Sequence, residues 1–158
     1  MRKELDTIIA DLNNVLYGEP WYGKPLFVLL DEVHPAVVFK KPKRNAHSLI
    51  QLVYHMITWA DFTLKRLQRD KHYDLASAEA LDWRVIDPLE HTWNKGLKEL
   101  KSIHENILAI LRESDDRILN EKVDFRDYNF RVLLNGLIQH NIYHLGQIAY
   151  VKKLLQPE

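Results

Sequence analysis

The stretch Gly136-Leu-Ile-Gln-His-Asn-Ile-Tyr-His-Leu-Gly-Gln-Ile148 decides the reading of this chain, because it sets His140 and His144 four residues apart inside a long apolar-periodic segment. Positions i and i+4 of an α-helix project from one face with Cβ atoms about 5–6 Å apart, so two imidazole nitrogens can converge on one ion. Around the pair, Leu133, Leu137, Ile148, Val151 and Leu155 recur at spacings of three, four and seven from about Phe130 to Leu155, and both histidines lie on that line. They therefore point inward. A neutral imidazole among leucines must satisfy one donor and one acceptor nitrogen, and two in one stripe double the demand. A shared metal ion answers it; the competing reading is two core histidines satisfied by Tyr, Ser or backbone partners. A third ligand has to come from elsewhere. The zincin pattern His-Glu-x-x-His has the same separation, but Asn141, Ile142 and Tyr143 intervene here, so the glutamate general base is missing and a zincin-like protease is disfavoured.

The 158 residues suit a single domain, 1–158, long enough to bury a core. Lys plus Arg number 22 and so do Asp plus Glu, which leaves no net field to recruit nucleic acid or an anionic membrane. Cysteine is absent, which excludes disulfides, thiolate metal sites and a Cys nucleophile, so any thiol chemistry needs an external thiol. The charged start Met-Arg-Lys-Glu-Leu-Asp leads into an amphipathic helix rather than an apolar signal core, and no apolar run approaches ~18 residues. A soluble cytoplasmic protein is expected, with neither a membrane nor a nucleic-acid partner.

Four long amphipathic segments organise the chain. The first runs from about Arg2 to Tyr17 on Leu5, Ile8, Leu12, Val15 and Leu16, and Gly18-Glu-Pro20 ends it. Leu26 to Val33 reads as a short extra helix. The basic run Lys40-Lys-Pro-Lys-Arg44 reads as a solvated loop. Ser48-Leu-Ile-Gln51 has capping-box spacing and opens the second long helix, to about Arg69, in which His55 shares a line with Leu52, Trp59 and Phe62 and looks inward. Asp70 to Asp87 lacks sustained periodicity and is expected to be a long connection, long enough for a crossover that leaves the second and third helices parallel. Pro88 suits a first turn, and Trp93, Leu97, Leu100, Ile107, Leu108 and Leu111 carry the third helix to about Glu113. His104 falls near its seam, as a half-buried hydrogen-bonded residue or a fourth ligand. His34, His47, His72 and His91 read as surface histidines. Ser114 to Asn129 is polar, although Ile118 to Phe125 can dock apolar residues or form a short strand. The pattern specifies an all-α four-helix bundle with one short extra helix between the first two long ones.

Three motifs carry a family likeness: Gly18-Glu-Pro-Trp-Tyr-Gly23, His47-Ser-Leu-Ile-Gln-Leu-Val-Tyr-His-Met-Ile-Thr-Trp59 and Leu137-Ile-Gln-His-Asn-Ile-Tyr-His-Leu-Gly-Gln-Ile148. Together they span nearly the whole chain, and it resembles the DinB/YfiT-like family of metal-dependent enzymes. The resemblance implies a metal held by one His of the second helix and two of the fourth, here His55, His140 and His144. It also implies a homodimer. Leu145 stands where many relatives carry a basic residue, so no anion contact is implied there.

Three neutral histidines leave a divalent ion its full charge and at least one open position. All-nitrogen ligation suits Zn or Ni first, with Mn, Fe and Co also accommodated. An open ion acidifies water, for hydrolysis, or a small thiol, for conjugation. The resemblance implies the second: transfer of a low-molecular-weight thiol to a small electrophile. The alternatives are a metal-dependent hydrolase and a non-catalytic or stress-response dimeric bundle whose metal only pins helices together. No general base is evident, since Gln147 and Asn141 do not titrate. Gln147 orients a ligand or faces a partner helix, Trp59 fills core or lines a pocket, Gly146 admits a neighbouring helix, and Trp21 and Tyr22 seal the bundle end.

Overall fold

A computed structural model describes residues 3–155; Arg2, where the sequence starts the first helix, lies outside them. Among the described residues the chain is all-α. Its helices are α1 (Lys3–Tyr17), α2 (Leu26–Asp31), α3 (Leu49–Leu67), α4 (Leu75–Leu81), α5 (Trp93–Glu113) and α6 (Phe130–Leu155). The four long ones form the bundle and α2 is the short extra helix. Local chemistry sets their starts. Ser48 caps α3 with the full capping box: its hydroxyl accepts from the Gln51 amide while Gln51 Oε1 accepts from the Ser48 amide. Asp74 caps α4 and Thr92 caps α5.

Contacts between ends fix the directions. At the start of α5, a Cβ on Gly96 would sit 3.1 Å from the Tyr54 ring and 3.3 Å from Val53, near the start of α3, so α3 and α5 run parallel and pack as closely as a glycine allows. His55 meets His140 and His144, whereas Trp59 and Phe62 share a cavity with Leu133 and Leu137, so α3 and α6 run antiparallel. The Arg131 guanidinium bonds Glu4, which sets the starts of α1 and α6 side by side, and the Leu5 amide donates 2.9 Å to Asp116 just beyond α5. The bundle is therefore up-down-down-up, with the long connection crossing over from the end of α3 to the start of α5. Leu5, Leu12, Leu16, Leu52, Met56, Leu100, Ile107, Leu134 and Ile148 meet in its core.

The connection differs from the sequence reading. It holds α4, made by Leu75, Ala78 and Leu81 on one face, with Ala78 fully buried. The third long helix starts at Trp93 rather than Pro88, because Thr92 supplies the cap and Pro88 lies in a turn. Between α5 and α6 the chain makes a 3-10 turn at Asp116–Asn120 and one isolated bridge, Lys122 to Asn129, instead of a strand, while Leu119 and Val123 are buried as apolar anchors. Trp21 and Tyr22 do not seal the bundle end; both are exposed. Gly146 likewise admits no neighbour: nothing lies within 4 Å of a Cβ placed there, and the close approach belongs to Gly96.

His104 is fully buried rather than half-buried, and it is no ligand. Its Nδ1 donates to the Leu100 carbonyl at 2.8 Å and its Nε2 accepts from Asn141 Nδ2 at 3.0 Å. Both ring nitrogens are thus used inside the core. Burial pushes its pKa down to about 4 from 6.5. The unfolded chain then binds the extra proton between these two values, so His104 contributes stability that is complete above pH 6.5 and is lost as pH falls towards 4. A shift of this size corresponds to about 3 kcal/mol. In metal-free protein, the unfolding free energy from urea titrations should drop between pH 6.5 and 4, and the double variant His104→Leu/Asn141→Leu should show a shallower drop. Equal slopes would refute the assignment.

Candidate metal centre

The antiparallel packing of α3 on α6 brings together the three histidines named from the sequence. His55 Nε2 and His144 Nε2 each lie 3.0 Å from His140 Nε2, and one nitrogen from each ring falls within 4.8 Å of the other two. His55 and His144 are 7% and 3% exposed, and His140 is half-buried. Around a tetrahedral ion with Zn–N bonds of about 2.0–2.1 Å, ligand nitrogens sit roughly 3.3 Å apart, so the two spacings to His140 are within a few tenths of an ångström of a metal cradle.

Two of the three outer nitrogens are committed. His55 Nδ1 donates to the carboxylate of Asp82, and His144 Nδ1 donates to Gln147 Oε1 at 2.6 Å. With their protons outside, both Nε2 atoms present bare lone pairs to His140. A single proton on His140 Nε2 satisfies only one of them, and leaves the buried His140 Nδ1 a bare acceptor with no partner. With the proton on Nδ1 instead, three lone pairs face one another. A cation at their centre would satisfy all three Nε2 lone pairs, with the His140 proton on Nδ1, so the residues present fit a metal. Burial lowers the basicity of all three rings, to about 3 for His140 and about 4 for His144, and downward for His55 despite the opposing pull of Asp82. All three are therefore neutral, the form that binds metal, at pH 7.

Asp82 and Trp83, unremarked in the sequence, make the outer layer. Asp82 Oδ1 also accepts from the Trp83 amide at 3.1 Å, and the Trp83 ring lies on His55 with centroids 3.9 Å apart and 12° between planes. On its other face Trp83 carries His47, at 3.7 Å and 16°, so His47, exposed as the sequence reading has it, is also part of this stack. Trp83 has φ +44°, a conformation that costs a non-glycine residue of order 1 kcal/mol and persists only where its surroundings enforce it. Arg84 supplies part of that enforcement, donating to Thr58 Oγ1 at 2.6 Å and to the Leu81 carbonyl at 2.9 Å and so fastening the segment to α3. The available signal was the cap-spaced Asp74-Leu-Ala-Ser77 followed by Leu75, Ala78, Leu81 and Asp82 at helical intervals.

Gln147 takes the orienting role of its two sequence readings, and Trp59 is only partly buried because it lines a cavity. Cavities lie along the α3–α6 seam on either side of the histidines. One, of about 270 Å³, runs from Trp59, Phe62, Leu133 and Leu137 to His140. The other, of about 310 Å³, is bounded by Lys43, His47, Leu52, Gln147, Tyr150 and Val151.

Against known families, the DinB superfamily matches residues 25–148, a stretch that includes all three histidines and both residues of the outer layer. The chain belongs to the DinB superfamily. No curated protein and no solved structure matches it. A DinB-superfamily bundle with a buried three-histidine cluster is compatible with a metal-dependent enzyme.

The carboxylate of Asp82 fixes the tautomer and aim of His55, and outer partners of this kind typically carry 10–100-fold in metal affinity. Asp82→Ala should weaken zinc binding by about that factor in competition with a chromophoric chelator, and Asp82→Asn by less, while helicity by circular dichroism stays unchanged. Unaltered affinity in both variants would remove Asp82 from the centre.

Proposed function

We propose that this DinB-superfamily protein is a metal-dependent transferase that joins a low-molecular-weight thiol to a small electrophile, with His55, His140 and His144 as the ligands of one divalent ion. The observation that carries the reading is the convergence of three Nε2 atoms whose rings are aimed by Asp82 and Gln147. His55, His140 and His144 would hold the ion as neutral imidazoles, and it would then supply the positive charge that lowers the pKa of a thiol or water brought to it.

The remaining features favour the thiol over water. A hydrolase of this kind needs a proton acceptor beside the attacking oxygen, and Asp82 holds its Oδ1 on the Trp83 amide and on His55 Nδ1, the ring nitrogen turned away from the other two histidines. A thiol ionises more readily and leaves its proton to solvent. One cavity reaches His140 and a second opens at Gln147, the hydrogen-bond partner of His144, so two substrates have separate places beside the cluster. The chain contributes no cysteine, so the nucleophile arrives with the cosubstrate. In the transfer itself, sulfur bonds the electrophilic carbon as the leaving group departs with its electron pair. Within the protein, Asp82 and Gln147 hold two of the rings in their binding tautomers, and Trp83 covers the face of His55 against water. The homodimer implied by the family likeness belongs to the same proposal, with the exposed Tyr143, Tyr150 and Leu154 of α6 as the face on which it would form.

No helix among the described residues is long and apolar enough to cross a membrane. The purified protein should take up one Co²⁺ per chain, and its visible spectrum should change on adding a small thiol such as cysteine or 2-mercaptoethanol. His140→Ala should lose the band, and wild type should conjugate the thiol to a chloronitrobenzene at a rate that chelation abolishes. A cobalt spectrum indifferent to thiols, with chelation lowering only the melting temperature, would turn the reading to a structural metal.

A further inference from the structure

The cavity of about 270 Å³ beside His140 has a lining that selects its occupant. Trp59, Phe62, Leu133 and Leu137 are apolar, and no Asp, Glu, Lys or Arg among the described residues lines it. Its two hydroxyl-bearing residues are engaged elsewhere: Thr63 donates to the Trp59 carbonyl at 3.0 Å, and the Tyr128 oxygen accepts from Arg126 Nε at 3.0 Å. A cation seated there would lose its hydration with no carboxylate among the lining residues to replace it. The volume lies at the small end of ligand pockets, enough for one ring or a short alkyl chain. His140 closes one end, so whatever enters is delivered against the histidine cluster. Gly136 is part of the lining and exposed, with no described atom within 4 Å of a Cβ built on it, so a larger residue fits at the rim without a clash.

We propose that this cavity seats the neutral, apolar portion of the electrophile, an aromatic ring or short alkyl chain, and that Gly136, which shares its lining with Trp59 and Phe62, sets the size admitted. The occupant's place in the reaction rests on the function proposed above; the pocket's preference for neutral apolar groups rests on its lining alone.

The test titrates metal-loaded protein with toluene, benzyl alcohol and benzylammonium, following ligand signals by NMR and measuring metal content on the same samples. Toluene and benzyl alcohol should bind with contacts to the Trp59 indole protons, and benzylammonium at least tenfold more weakly. Gly136→Phe, with Gly136→Leu as a second variant, should weaken the neutral probes tenfold or more at unchanged metal stoichiometry. Equal binding of the ammonium probe, no binding of any probe, or undiminished binding in a folded Gly136 variant overturns the proposal. Toluene bound beneath Gly136 in a protein that takes up no metal would sink the transferase reading and leave the pocket standing.

Discussion

The antiparallel register of α3 on α6 holds the His55 and His144 nitrogens 3.0 Å from that of His140, and the rest of the site depends on it. A slip of one residue on either helix would turn one or more rings by about 100° and break the convergence. Two packing constraints hold the register. On one side, α3 lies against α5 at glycine-limited separation through Gly96. On the other, the leucines and isoleucines of α6 that bracket the histidines, Leu133, Leu137, Leu145 and Ile148, are all buried in the common core. The polar cluster is thus set in place by apolar packing, and its own cost of burial is met by partners: Asp82 and Gln147 for two rings, and lone pairs that a cation can satisfy for all three.

The crossover links the fold to the chemistry. Connecting two parallel helices requires the chain to travel the length of the bundle, and here the return path passes directly over His55. Arg66, fully buried, donates to the carbonyls of Asp70 and Tyr73 and directs the chain as it leaves α3. After α4, the chain lays Asp82 against the edge of His55 and Trp83 on its face. A connection that topology makes necessary therefore doubles as the outer layer of the site, and the left-handed conformation of Trp83 is held by the contacts it makes there.

The parts legible in sequence were those written with helical period. The four long helices, the short one after α1, the Ser48 capping box and the inward aim of His55, His140 and His144 all follow from apolar spacing or from one cap. The spacing of four within α6 announced a pair, and the third histidine came from the family likeness, since no local pattern says which turn of another helix faces it. What was missed around His55 lies in the crossover. The seven residues of α4 give only a two-turn signal behind the Asp74 cap, and Asp82 and Trp83 act on His55 across 27 and 28 positions of chain. His104 showed a periodic position near the seam, but its full burial depends on Asn141, which reaches it from α6.

The central claim is that three imidazoles share one ion. X-ray absorption at the zinc edge of metal-loaded protein measures this directly, since imidazole rings give multiple-scattering features that other light-atom ligands lack. The account predicts nitrogen scatterers at about 2.0–2.1 Å with the amplitude of three imidazoles, falling to two in His55→Ala. A signal of one imidazole or none, or one unchanged by that substitution, would contradict it.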